Sequence, residues 1–309
     1  MKSKSTLFVI CVAATAWATT LAHAEEDVLF FDSFESGNMS TTNASGFQWG
    51  HVNRTSIVTQ SETDGNVIIY SPTGEEVYDI QNDGKDWTAF DGENSLRFRY
   101  PAGVNWSEQR FDMGDAYPEL WISFWLRVPT NFSHGTENPT NHKLFALWMD
   151  GYDTKGDGPT IIWEFWNNGN NGSNLAVHYS EGGFTGAGGH LQHTPFISYP
   201  TDQGRWMHIV LNIKAATNKT SNDGIIKMWR LWAGETAYSQ FHNISDANIA
   251  IPEGGPNGWA AGYIMGWSNP TYDNDTEWLL DSFTVSETML LDGSEPIKPP
   301  PAPPALELE

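Results

Sequence analysis

Residues 119–129 read ELWISFWLRVP, and the alternation within them decides the fold. In an extended strand successive side chains point to opposite faces. Leu120, Ile122, Phe124, Leu126 and Val128 then share one face, while Trp121, Ser123, Trp125 and Arg127 share the other. The first face is pure core. The second mixes indoles, a hydroxyl and a guanidinium, more than a merely solvated strand face needs. The same division recurs on either side. In HIVLNIK (208–214), Ile209, Leu211 and Ile213 oppose His208, Val210, Asn212 and Lys214. In NSLRFRY (94–100), Leu96, Phe98 and Tyr100 oppose Ser95, Arg97 and Arg99. GIIKMWRLWAG (224–234) puts Ile226, Met228, Arg230 and Trp232 opposite Ile225, Lys227, Trp229 and Leu231.

Further strand candidates follow at short spacing, among them DVLFFDSF (27–34), NVIIYS (66–71), SEQRFDM (107–113), HKLFALWMD (142–150), PTIIWEFW (159–166), NLAVHYS (174–180), AGYIMGW (261–267) and EWLLDSFTVSE (277–287). Gly- and Asn-rich turns such as NNGNNGSN and PEGGPNG separate them, and no long helical pattern interrupts them. About a dozen strands in one domain imply an all-β, two-sheet β-sandwich of the jelly-roll type. One sheet is expected to curve, with its convex side on the core and its concave side lining a groove.

The chain has 309 residues and a formal charge of −22, which argues against a nucleic-acid partner because phosphate binding needs a basic surface. Residues 1–24 read as a signal peptide: Lys2 and Lys4 open it, Leu7 to Ala18 form a short apolar stretch, and Ala22-His23-Ala24 offers the cleavage site. The product is expected to be secreted or periplasmic, without a membrane span. The only cysteine, Cys11, lies in that leader, so thiolate chemistry is excluded from the mature protein. Residues 25–292 read as the β-domain, expected to be a monomer, and the Pro-rich 293–309 as a tail or linker.

The 15 tryptophans bear on function. A groove that holds sugar needs flat aromatics for the C–H faces of the rings, and amides, Arg and Lys for hydroxyls and carboxylates. Trp125, Trp166, Arg230 and Trp232 are the expected lining residues, with Glu164 hydrogen-bonding sugar or pairing with a cation.

The order RWMHIVLNIKAATN…DGIIKMWRLWAGE…GYIMGW…EWLLDSFTVSE resembles the C-terminal half of concanavalin A-like jelly-roll proteins, above all secreted polysaccharide lyases of the alginate and glucuronan type. ELWISFWLRVPTNF and NHKLFALW are similar to the earlier strands of that fold, where a Lys often follows the loop. The resemblance implies β-elimination on a uronic-acid polysaccharide. That chemistry needs a cation to neutralise the carboxylate, a base for the neighbouring C–H, and an acid for the leaving oxygen. WSEQRFD resembles the Arg-Ser/Thr-Glu-Leu-Arg strand of alginate lyases, with Arg110 on the final Arg, Gln109 where the family has Leu, and Trp106 in place of the first Arg. LAVHYS matches the family's Gln-Ile-His strand only at His178, and GYIMGW offers Tyr263 without the rest of the tyrosine-strand signature. Arg110 or Lys143 is expected to neutralise the carboxylate, and His178 and Tyr263 to act as base and acid.

Two other readings stay open. One is a non-catalytic carbohydrate-binding module. The other is a jelly-roll glycoside hydrolase, against which Glu164 stands alone, with Ile162 and Trp166 where an E-x-D-x-x-E pattern would continue. FFDSFESG and LLDSFTVSE share an Asp-Ser-Phe core, and adjacent first and last strands would let Asp32, Glu35 and Asp281 offer oxygens to a structural Ca²⁺. No organic cofactor is expected. MDGYDTKGDG (149–158) reads as a groove-edge loop and GGFTGAGGH (182–190) as a lid.

Overall fold

The structure is a computed structural model that describes residues 28–60, 66–70, 76–80, 86–134, 140–152, 159–169, 172–180, 188–249 and 258–291. The leader, the Pro-rich tail, most of the 149–158 loop and the greater part of the expected lid lie outside these residues.

Seventeen strands follow one another among the described residues: β1 (Val28–Asp32), β2 (Gln48–Asn53), β3 (Thr55–Thr59), β4 (Asn66–Tyr70), β5 (Glu76–Ile80), β6 (Asn94–Tyr100), β7 (Trp106–Tyr117), β8 (Glu119–Arg127), β9 (Asn141–Trp148), β10 (Thr160–Asn167), β11 (Gly172–Ser180), β12 (Gly188–Ser198), β13 (Trp206–Lys214), β14 (Gly224–Trp232), β15 (Ser239–Ala247), β16 (Trp259–Asn269) and β17 (Thr276–Ser286). An eight-stranded sheet runs β15-β14-β13-β8-β17-β6-β3, with β1 also on β17. A seven-stranded sheet runs β12-β11-β10-β9-β16-β7-β2, and β4 and β5 pair as a separate hairpin. All pairings are antiparallel, so this is a two-sheet jelly-roll sandwich.

The core is filled from both sheets by the faces that alternation selects. Leu120, Ile122, Phe124, Leu126 and Val128 from the β8 run meet Ile209, Leu211 and Ile213 from β13 and Leu96 and Phe98 from β6. Phe145, Leu147, Trp163, Phe165, Leu175 and Val177 answer from the seven-stranded sheet. One cluster therefore spans residues from Phe30 to Val285. Several strands escape a reading based on apolar runs. β12 is mostly exposed and contains Pro195, as suits an edge strand with polar residues on both faces.

The other face of β8 is not a groove. Segment 86–91 lies across it: Phe90 stacks on Trp125 at 3.6 Å between centroids, and Asp86 pairs with Arg127 at 2.5 Å. Trp125, Trp87, Trp206, Val58 and Leu279 thereby form a second, smaller apolar cluster. Asp281 holds the segment down by accepting the Phe90 and Asp91 amides, each at 3.0 Å.

Candidate functional site

The outward face of the seven-stranded sheet is built differently. The register carries one row of side chains across five strands: Arg110 on β7 lies opposite Tyr263 on β16, Tyr263 opposite Ala146 on β9, Ala146 opposite Ile162 on β10, and Ile162 opposite His178 on β11. Five strands span about 19 Å at the ordinary strand spacing. Three of the four residues expected to be catalytic thus stand in one line. Ala146 and Ile162 form its floor, packed with Trp148 and Tyr263.

A second row lies two residues further along β7 and β10 and three further along β9. It contains Glu108 on β7, Lys143 on β9 and Glu164 on β10. Strict alternation would bury Lys143 with Phe145 and Leu147. A β-bulge at Leu144 prevents this, because Trp163 pairs with Phe145 while Glu164 pairs with Lys143. The fourth expected catalytic residue reaches the outer face through that extra residue.

Glu164 is the hub of this row. It pairs with the Lys143 ammonium, and accepts Asn141 Nδ2 at 3.0 Å and Trp166 Nε1 at 2.9 Å. His178 Nε2 lies 3.6 Å away. Burial pushes the Glu164 carboxyl up, but Lys143, His178 and Asn141 outweigh it and hold the group below its usual value. It stays ionised. A buried carboxylate that lost its cation would be strongly destabilising, so Lys143 and Glu164 form one unit. Of the two roles expected of Glu164, the structure shows the pairing with a cation, Lys143, and the side chain is buried beneath the face.

Glu108 plays the same part for Arg110, accepting Nε at 2.7 Å and Trp106 Nε1 at 3.1 Å. The guanidinium lies over the rings of Trp148 and Tyr152, at 5.9 and 5.4 Å. Among the described residues its terminal nitrogens meet no acceptor. Tyr152, from the loop after β9, meets Tyr263 hydroxyl to hydroxyl at 3.0 Å. Burial raises both phenols above their ordinary value, and the Tyr152 oxygen raises Tyr263 further. Both remain protonated, which leaves each with a proton to donate. Tyr263 is 1% exposed and Tyr152 partly exposed, so Tyr152 is the phenol that faces outward.

Gly266 supports this centre from below. Its φ is +142° and that of Met265 is +60°. A Cβ at Gly266 would stand 3.1 Å from the Lys143 Cβ and 3.3 Å from the Tyr263 ring. The backbone there is fixed by Tyr100, which donates to the Gly266 carbonyl at 2.7 Å and is bonded through His142 to Tyr272. Burial holds His142 well below its usual value, so this underlying network carries no charge.

The remaining expected residues divide between this face and other places. Trp166 belongs to the face, partly exposed beside His178. Trp125, Arg230 and Trp232 do not, because β8 and β14 belong to the other sheet. Trp125 lies under Phe90. Trp232 is in the core, with the Arg230 guanidinium 4.6 Å from its ring and bonded to the Phe196 carbonyl. Burial brings Arg230 down to about 10. Asp32, Glu35 and Asp281 do not gather as a metal site. Asp32 accepts Phe34 N and Trp49 Nε1, Glu35 accepts the Glu93 and Asn94 amides, and Asp281 accepts those of Phe90 and Asp91. Their oxygens serve turns, and no group of three metal-holding side chains forms among the described residues. Apolar-run reasoning missed Tyr152, Trp148 and the exposed Trp267. Register with Trp106 was the signal for Trp267, and register is invisible before the strands are paired.

Fold and face together define a jelly-roll sandwich with a row of cations, phenols and imidazole across its seven-stranded sheet. No protein-family profile matches the chain, and no curated protein is similar to it in sequence. Among solved structures it is similar to an endo-β-1,4-glucuronan lyase from the fungus Trichoderma reesei, at 14% identity and TM-score 0.50 over 87% of this chain and 99% of that one. A marine alginate lyase from Aplysia kurodai aligns at 10% identity and TM-score 0.47 over 63% and 84%. The receptor-binding domain of botulinum neurotoxin type G aligns at 9% and 0.44 over 85% and 48%. At such identities the likeness is one of fold.

Proposed function

We propose that the protein is a polysaccharide lyase that cleaves a uronate-containing glycan by β-elimination on the outer face of the seven-stranded sheet. One observation carries the reading: the single row that runs from Arg110 through Tyr263 to His178. The backbones of Tyr263 and His178 stand three strand spacings apart, about 14 Å. The low floor of Ala146 and Ile162 between them leaves a slot for one sugar ring.

Arg110 and Lys143 neutralise the carboxylate, which makes the C5 proton acidic. His178, 43% exposed at its side chain, removes that proton. The C5–H electrons become the C4–C5 double bond and the C4–O bond breaks. The departing oxygen takes its proton from the Tyr152 phenol, which Tyr263 replenishes. A strongly acidic protein repels a polyuronate at long range, but salt screens that repulsion beyond about 10 Å, and the local cations act within it. A leader-like start fits a protein that meets its polymer outside the cytoplasm.

The hydrolase reading is weaker. Glu108 and Glu164 lie on β7 and β10, with β16 and β9 between them, about 14 Å apart at the backbone. Hydrolysis needs two carboxyls facing each other across one glycosidic bond, whereas these two are each committed to a cation on their own side of the face. The test is to incubate purified protein with uronic and neutral polysaccharides and follow the ultraviolet band of the unsaturated product. Elimination should appear on a uronate polymer and fall by roughly 10²–10⁴ in His178→Ala. New reducing ends without the band, or full activity in His178→Ala, would sink the mechanism.

A further inference from the structure

A third row follows the Glu108–Lys143–Glu164 row and differs from both others. Trp106 on β7 pairs with Trp267 on β16, Asn269 on β16 with Asn141 on β9, Asn141 with Trp166 on β10, and Trp166 with Asn174 on β11. The row contains no ionisable side chain. Its three indole N–H groups are taken by internal acceptors: Trp106 by Glu108 at 3.1 Å, Trp166 by Glu164 at 2.9 Å and Trp267 by Asn269 at 2.8 Å. The polar edges are pinned, so what the indoles offer outward is ring face. Trp267 is 44% exposed, with the Trp106 ring 6.5 Å away and inclined at 46°. The Asn174 Oδ1 is buried without a hydrogen-bond partner among the described residues.

Ring faces and amide groups suit the C–H face and hydroxyls of an uncharged sugar. The row has no cation of its own to pair with a carboxylate, and the row beside it holds two carboxylates, Glu108 and Glu164, against one ammonium, Lys143. The row lies four residues from the Arg110–His178 row, about 14 Å along the strands. We propose that it binds a neutral pyranose of the same glycan, so that the substrate joins neutral sugar to uronate rather than being a homopolymer of uronate. The binding half of this inference stands on the third row alone. The mixed-polymer half rests on the lyase reading.

The experiment titrates the full chain with neutral β-linked hexasaccharides of glucose, xylose and mannose, following tryptophan fluorescence. At least one should give a saturable change that added salt does not weaken, since no charge is engaged. Trp267→Ala should weaken it about tenfold, or about 1.4 kcal/mol, and Trp267→Phe should restore most of the loss. A thermal melt checks that both variants are folded. No saturable change with any of the three sugars, or equal binding by wild type and Trp267→Ala, overturns the proposal. Elimination assays separate the two readings. Neutral-sugar binding through Trp267 with no polymer eliminated sinks the lyase and leaves the row. Elimination with no neutral-sugar binding sinks the row and leaves the lyase. Elimination no faster on mixed polymers than on polyuronates overturns the mixed-polymer half.

Discussion

The two outward faces of the sandwich are made from similar residues and end in opposite states. On the eight-stranded sheet, Trp125, His208 and Arg127 are covered or paired: Phe90 lies on Trp125, Trp125 stacks on His208, and Asp86 from the covering segment binds Arg127. On the seven-stranded sheet, Arg110, His178, Trp166 and Trp267 keep part of their surface in solvent. Their anions come from below, through Glu108 and Glu164. The difference lies in where the counter-charge sits. An anion delivered from a covering segment closes a face, while an anion buried in the sheet orients the cation and leaves its outer side free. Composition does not distinguish these cases.

The largest expected effect tests that distinction directly. Lys143→Met leaves Glu164 buried without its cation and should cost roughly 3–5 kcal/mol in denaturant unfolding, along with most of the elimination activity. Adding Glu164→Gln should recover stability but not activity. If the single variant were as stable as wild type, the buried anion would not be the organising feature of this face. Trp125→Ala comes next. It should cost about 3–5 kcal/mol as a core truncation, yet leave the rate per folded molecule unchanged, because the proposed chemistry lies on the other sheet. A fall in rate at full folding would place the eight-stranded face back in the site.

The third test concerns Asp281, whose carboxyl burial raises to about 7 despite the amides it accepts. Unfolded, it titrates near 3.9. Between these values the folded state holds a proton that the unfolded state lacks. Its contribution is therefore full below about pH 4, declines as pH rises toward 7, and is flat above. Asp281→Asn keeps an acceptor for Phe90 and Asp91 and should flatten the melting-temperature profile in that window. Glu164, held below its usual value, contributes in the opposite sense and at lower pH. An unchanged profile in Asp281→Asn would mean that the covering segment does not depend on this carboxyl.

The core was readable from alternation alone, because β8, β13 and β6 bury one pure apolar face each. The candidate site was legible only as a set of residues: Arg110, Lys143, His178 and Tyr263 lie on one face of the seven-stranded sheet. What the sequence hid was pairing. Nothing in ELWISFWLRVP says that its indole face will be covered by a segment some thirty residues earlier, nor that β14 falls in the sheet without the site. The bulge at Leu144 is equally silent, and without it Lys143 would be assigned to the interior. Tyr152 was passed over because it stands in a stretch whose acidic and glycine residues suggest a loop and little else.

Glu164 has a further consequence. Asn141, Lys143, Trp166 and His178, from three different strands, all meet one buried anion. Substitutions among them will be epistatic: once the first has loosened the carboxylate, later ones will find less to lose. Any attempt to retune this face for another glycan will depend on the order in which the changes are made, and the most permissive first step is at the carboxylate itself.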